Sequence, residues 1–377
     1  MEFMAKERAA LERFMPGLDD MLATIPLADL ERPGNPGLPA FKAAGGPKLL
    51  VPAEYHGLGA TPVEAIRVQR ALGSRSPSLA IAATMHGFSV AGLVEVSQTS
   101  TGFEWMLLEA IARENLLLAS GFAEGRTGAA ILSPALRAVR RGDNLVVSGS
   151  KKPCTLSRSM DMLTASVAVT DDEGRDRLAV VLIPAGSPGI EIRPFWNSFV
   201  LAGAESDEVV LKDVEVSRHL VVMTDNTTDD QRLDDLQSGT FLWFELLVSA
   251  SYLGVASALA ERVLAAGKAD AVERAALVVE AEAAMTTLEG VARAMGDGER
   301  GQDMFATALC ARYAVQDAIG RIARRATELL GGMAYIGSGD VAYLSAASTA
   351  LMFHPPSRTR MSQQLCDYFA GQPLRVA

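Results

Sequence analysis

Two stretches near the C-terminal end carry the residue types best suited to chemistry. Glu328-Leu-Leu-Gly-Gly-Met-Ala-Tyr335 sets two glycines at the end of an apolar helical run, and Phe353-His-Pro-Pro356 follows about twenty residues on. Without a Cβ, Gly331 and Gly332 let backbone amides approach a ligand closely. The same pair would also serve as a plain helix C-cap. His354 offers an imidazole that donates a proton near neutral pH, or, with Pro355 and Pro356 behind it, simply closes a helix end. Upstream, Glu245 is the only carboxylate in the apolar run Phe241–Gly254. Burying it unpaired is costly, so it needs either a function or an arginine across a helix bundle. His56, His86 and His219 show no partner spacing and read as structural or surface residues. Arg358 and Arg360 could meet a phosphate, but charges on an exposed helix face are more often solvated.

Composition bounds what these residues can belong to. The chain has 377 residues, of which 49% are hydrophobic and 21% charged, enough for two or three domains with a large core. Its net charge of −10 argues against nucleic-acid partners, which require a basic face. No apolar run reaches the length of a membrane span, and the charged segment Met1–Glu12 lacks the apolar region of a signal peptide, so no membrane contact and a cytoplasmic location are expected. Cys154, Cys310 and Cys366 are far apart without metal-ligand spacing and read as reduced core thiols.

Three zones organise the chain. Residues 1–117 carry helical periodicity over Glu7–Ile25 and Pro62–Leu72, with Ala80–Val94 as a buried helix and a Pro/Gly-rich break at Glu31–Pro39. Residues 118–222 alternate short apolar runs with turns, which predicts strands at Leu145–Val147, Leu163–Val169, Leu178–Ile183, Ile190–Arg193 and Glu208–Leu211, and a hairpin turn at Asp171–Gly174. Lys151 reads as a solvated turn residue. After a polar linker, Thr224–Gly239, residues 238–377 are helical, with candidates at 240–266, 270–296, 302–330, 340–353 and 357–370. The first three are apolar on more than one face and need cover from a bundle. Helices, then strands, then long helices define an α+β arrangement.

Five segments, in order along almost the whole chain, resemble the acyl-CoA dehydrogenase family of flavoproteins. Gly46–Gly59, with Val51-Pro-Ala-Glu-Tyr-His-Gly57, is similar to its N-terminal Val-Pro-Glu-Glu-Tyr-Gly-Gly segment. Phe122-Ala-Glu-Gly-Arg-Thr-Gly128 resembles a worn Thr-Glu-Pro-x-x-Gly-Ser loop. Ser148-Gly-Ser-Lys151 through Thr155 resembles Asn-Gly-x-Lys-x-Trp-Ile-Thr. Val209–Val216 resembles the strand closing the middle domain, and Glu328–Tyr335 the Gln-x-x-Gly-Gly-x-Gly-Tyr turn. The resemblance implies an α-helical N-terminal domain, an antiparallel, barrel-like β middle domain and a C-terminal four-helix bundle, assembled as a homodimer or homotetramer. It implies a flavin, FAD or alternatively FMN, held by Phe122, Ala123, Gly128, Cys154, Thr155, Gly331 and Gly332. A substrate pocket would draw on Ser157, Trp243 and Tyr252.

The departures from that family bear on the reaction. Its usual catalytic glutamate, in a Tyr-Glu-Gly-Thr motif, falls on Phe353-His-Pro-Pro356, so His354 replaces it. Relatives with the base on the first bundle helix would place it one residue before Glu245, about 100° around the helix. The segment Ala265–Arg274 lacks the Arg-x-x-Phe-Gly sequence of tight FAD binders, which opens the way to FMN. Flavin-dependent monooxygenases on this fold also lack the glutamate and carry a His-x-Pro segment followed by a helix and a Gly-x-Pro-Leu-like tail, here His354-Pro-Pro356, Ser357–Phe369 and Gly371–Leu374. Two reactions are therefore expected. The first is oxidation of a small acyl thioester, on CoA or a carrier protein, with Glu245 as base and a separate electron acceptor. The alternative is monooxygenation of a small organic molecule, with reduced flavin from a reductase and His354 at the flavin. A degenerate flavin-binding scaffold is the third reading.

Overall fold

The computed structural model of the protein describes residues 2–99, 104–125, 134–170, 174–227 and 235–376. The N-terminal part is helical: α1 (Ala5–Phe14), α2 (Leu18–Thr24), α3 (Leu27–Leu30), α4 (Gly37–Ala43), α5 (Pro62–Arg75), α6 (Pro77–Thr99) and α7 (Glu104–Glu114). The periodic stretch Glu7–Ile25 is two helices, because Gly17 takes φ 76° after Pro16 and turns the chain. Thr61 caps α5: it accepts from the Glu64 amide while the Glu64 carboxylate accepts from the Thr61 amide, with Pro62 at the first helical position.

Eight strands follow among the described residues: β1 (Leu118–Gly121), β2 (Arg137–Arg141), β3 (Asn144–Cys154), β4 (Met162–Thr170), β5 (Asp176–Pro184), β6 (Ile190–Arg193), β7 (Asp207–Ser217) and β8 (Val221–Thr227). All five expected strands lie inside these. The sheet runs β6-β7-β3-β2-β4-β5-β8, with β1 also on β4. It is mixed rather than purely antiparallel, since β4 pairs in parallel with both β1 and β2. The sequence hides those two strands for different reasons. β1 is four residues long, and β2 buries only Ala138 among arginines. The expected turn at Asp171–Gly174 falls mostly outside the described residues, as does the middle of the linker Thr224–Gly239.

The C-terminal part comprises α8 (Asp235–Ala266), α9 (Ala271–Gly296), α10 (Gly301–Gly337), α11 (Gly339–Ala347) and α12 (Arg358–Phe369). α8 is the centre of the molecule and packs on α5, α6, α9 and α10. Its crossing with α5 is close because two glycines meet. A Cβ on Gly254 would lie 2.2 Å from the Arg70 carbonyl oxygen, and one on Gly73 2.1 Å from that of Ser251. Both α6 and α8 are long and apolar enough to cross a membrane, contrary to the expectation from apolar runs. Small residues interleaved with polar ones disguise them in the sequence. Both are largely buried against other helices, as core helices are.

Candidate active site

His354 ends a short 3₁₀ turn, Ala350–Phe353, and is held from two sides. On one side lies a row of aromatic rings. Phe122, just after β1, meets Phe88 of α6 at 5.4 Å between centroids, Phe88 meets Phe244 of α8 at 5.4 Å, and Phe244 meets the His354 ring at 6.2 Å. Tyr252, two turns along α8, packs on His354 at 5.4 Å and shares a 2.8 Å hydrogen bond between its hydroxyl and Nε2. On the other side Arg312 of α10 donates to the carbonyls of Leu351 (3.3 Å), His354 (2.5 Å) and Pro355 (3.2 Å). The neighbouring Tyr313 donates to Pro356 at 2.9 Å. Two consecutive side chains thus fix four carbonyls of the segment that presents His354.

Burial, and secondarily the Arg312 guanidinium, push His354 down to about 3, so its ring is neutral. This corrects the expectation of a proton donor titrating near neutrality. A neutral imidazole can still donate one ring N–H, and the Tyr252 hydroxyl, kept protonated by burial, orients the ring through its hydrogen bond with Nε2.

Glu245 realises the arginine pairing weighed from the sequence. Its Oε2 accepts from Arg312 Nη1 at 2.5 Å, and both side chains are 1% exposed. Burial pushes the Glu245 carboxyl up to about 7 against the pull of Arg312. Its position one residue past the family's base turns it toward α10, and Phe244 takes the place facing His354. Trp243, expected in the pocket, points elsewhere: its Nε1 donates to Glu95 at 3.4 Å. Ser157 is fully buried, with its hydroxyl committed to the Glu205 carbonyl at 2.7 Å.

The expected flavin residues on the sheet do gather. The Ser120 amide donates to the Thr155 carbonyl and the Lys152 amide to Ala123, both at 3.3 Å, which brings Phe122 and Ala123 beside Cys154 and Thr155. Thr155 and Ser206 hydroxyls are buried and 3.0 Å apart. Around them the backbone is strained, with Leu156, Leu201 and Glu205 at φ 65°, 61° and 56°. Strain of this kind concentrates at ligand sites. In the same loop Glu205 Oε2 is buried without a hydrogen-bond partner among the described residues. Cys154 is a buried thiol pushed up to about 12 and packs as an apolar group; Cys310 and Cys366 are exposed rather than core residues. Gly128 lies outside the described residues. Gly331, at φ 79°, breaks α10, and a Cβ built on it or on Gly332 meets nothing within 4 Å among the described residues. Open glycine backbone, two buried hydroxyls and an unpartnered carboxylate oxygen fit a flavin, whose edge offers both donors and acceptors.

Two buried groups that look reactive are structural. Lys151 is 1% exposed, not solvated; β3 runs on to Cys154, and alternation along it puts Lys151 on the buried face with Leu145 and Val147, where it pairs with Glu124 and donates to Ser166 at 3.0 Å. His86 Nδ1 accepts from the Leu118 amide (3.0 Å), so Nε2 carries the proton and donates to the Pro47 carbonyl (2.9 Å). Burial pushes His86 down to about 4 from 6.5. Its stabilising contribution is therefore complete above pH 6.5 and lost as pH falls toward 4, by about 1.4 kcal/mol per unit. In urea melts, the stability gap between wild type and His86→Gln is expected to shrink by ~2 kcal/mol from pH 6.5 to 5; parallel curves would refute this.

Arg312, Phe88 and Phe244 are the site residues that sequence reasoning missed. One signal was available: Arg312 is the sole basic residue between Gly301 and Gly320, as Glu245 is the sole acid in its run.

A helical N-terminal part, a mixed sheet and a bundle with His354 at their junction define a flavoenzyme scaffold, and comparison with known proteins agrees. Residues 119–214 match the family described as acyl-CoA dehydrogenase, middle domain. The chain is 50% identical over 380 residues to the isobutylamine N-hydroxylase of Streptomyces viridifaciens, covering 100% of both. In fold it is similar to a nitrososynthase from Micromonospora carbonacea var. africana (TM-score 0.82, 19% identity, 98% of this chain and 96% of that one). It is equally similar to the dibenzothiophene monooxygenase of Paenibacillus sp. A11-2, also solved with FMN (TM-score 0.82, 18% identity, 99% of each chain). The chain belongs to the acyl-CoA dehydrogenase family of flavoproteins. It is a flavin-dependent oxidoreductase of that family.

Proposed function

We propose that this enzyme hydroxylates the nitrogen of a small alkyl amine. The overall reaction is R–NH₂ + O₂ + reduced flavin → R–NHOH + H₂O + oxidised flavin. The observation that carries the reading is the full-length 50% identity to an amine N-hydroxylase. The site supports it, because a thioester dehydrogenase needs a free carboxylate, and Glu245 is bound to Arg312. The monooxygenase alternative thereby displaces thioester oxidation as the preferred reaction.

Phe122, Ala123, Cys154 and Thr155 would hold the flavin ring, with Gly331 and Gly332 as a second backbone contact. The flavin, FMN or FAD, supplies two electrons to oxygen. The chain's own part is to keep water out with the row Phe122, Phe88, Phe244 and to hold a neutral His354, backed by Tyr252, as a hydrogen-bonding relay for the proton that the amine nitrogen loses and the leaving water gains. A separate reductase would supply the reduced flavin.

The test combines the purified protein, a flavin reductase, NADH, FMN or FAD, and a panel of amines including isobutylamine, with hydroxylamine measured as product. Peroxide alone with every amine, or flavin bleaching by acyl-CoA without reductase, would reject the reading. Exposed Met333 (81%) and Ile336 (79%), just after Gly331, together with exposed Phe353 (77%), lead us to expect self-association. Light scattering should give a dimer or tetramer mass; a monomer would count against this.

A further inference from the structure

Glu31 lies outside every motif of the sequence, yet it is buried and bound on all sides. Its carboxylate accepts from the Ser76 hydroxyl (2.7 Å), from the Ser78 amide (3.1 Å) and hydroxyl (2.6 Å), and from the Tyr343 hydroxyl of α11. Tyr343 is itself an acceptor, taking the Leu201 amide at 2.9 Å. The Glu31 carbonyl takes the Gly203 amide at 3.1 Å. A Cβ on Gly203 would come within 2.7 Å of the Leu30 carbonyl oxygen, so the loop sits hard on this segment.

The loop pinned at Leu201 and Gly203 is the one that reaches Thr155. It carries two of the strained residues, Leu201 and Glu205, and ends on Ser206, whose hydroxyl meets that of Thr155. Beside it, Leu156 and Ser157 donate their amides to Ala204 (3.1 Å) and Glu205 (3.2 Å). Residues in left-handed backbone persist only when their surroundings over-determine them. Tyr343 and Glu31 supply that constraint at one end, and the Thr155–Ser206 pair receives it at the other. α11 starts at Gly339, just after α10 ends, so Tyr343 ties the loop of residues 201–206 both to the C-terminal helices and to Glu31 of the N-terminal part.

We propose that Tyr343 is a positioning residue for the flavin, acting through residues 201–206 to set the Thr155 hydroxyl. The proposal rests on the reading that Thr155 holds the polar edge of the flavin, and its test separates the two.

The experiment titrates FMN and FAD, oxidised and, under anaerobic conditions, reduced, into wild type, Tyr343→Phe, Thr155→Val and the double variant. Tryptophan fluorescence reports Kd. Loss of one hydrogen bond in Thr155→Val is expected to raise Kd about fivefold, and Tyr343→Phe about threefold. Because Tyr343 acts through Thr155, the double variant should bind no worse than Thr155→Val alone. Thr61→Ala, which removes the cap of α5, should lower Tm comparably and leave Kd unchanged. Multiplying effects in the double variant overturn the proposal, as does an equal rise in Thr61→Ala, which would show general loosening. If Thr155→Val weakens binding and Tyr343→Phe does not, the positioning role alone fails. If Thr155→Val binds normally, the Thr155 reading fails and the proposal with it.

Discussion

The His354→Ala enzyme is expected to keep consuming oxygen in the presence of reduced flavin but to return it mainly as peroxide. Hydroxylamine formed per O₂ should fall about 100-fold, the usual worth of one well-placed proton donor. The physical reason is the environment of the ring. His354 stands at the end of an aromatic wall, hydrogen-bonded to Tyr252, with its segment fixed by Arg312 and Tyr313. Alanine opens that wall to water and removes the N–H together. Since the imidazole is neutral down to about 3, no titration of His354 enters the working pH range. The deficit should therefore be the same at pH 6 and pH 8. Tyr252→Phe, which keeps the ring and loses the hydroxyl, should uncouple more mildly. Product formation that stays coupled to oxygen use in His354→Ala would reject the role.

How much of this was legible in the sequence depends on whether the signal is local. Helix positions were, because periodicity and caps such as Thr61–Glu64 or Asp270 lie within one turn of each other. His354 stood out because it replaces an expected glutamate. The one-residue offset of Glu245 was legible, but the sequence left base and ion pair open, and Phe244 facing the histidine emerged only from the packing. The partner of Glu245 was not legible, since Arg312 lies 67 residues further on and only bundle packing joins them. Lys151 was misread because its strand continues past Val147 to Cys154, and the polar run Ser148–Lys152 hides that continuation in the sequence. Glu31 was invisible for the same reason as Arg312. Its partners come from α6, the residue before it and α11, up to 312 residues away.

The largest stability effect is expected at Arg312. Arg312→Ala leaves the Glu245 carboxylate buried without its cation and strips hydrogen bonds from the carbonyls of Leu351, His354 and Pro355. Breaking one side of a buried pair costs about 3–5 kcal/mol. Removing both charges is a different perturbation, because apolar replacements of similar volume often restore stability. Arg312→Met combined with Glu245→Leu should therefore regain much of the loss in urea melts, within about 2 kcal/mol of wild type. What it cannot regain is the clamp on the three carbonyls, which needs a forked donor. The double variant is thus expected to be stable yet uncoupled, releasing peroxide much as His354→Ala does. That divergence separates the two contributions of the guanidinium: one balances a charge, the other holds the segment carrying His354. A double variant that is both stable and coupled would leave Arg312 with charge balance alone.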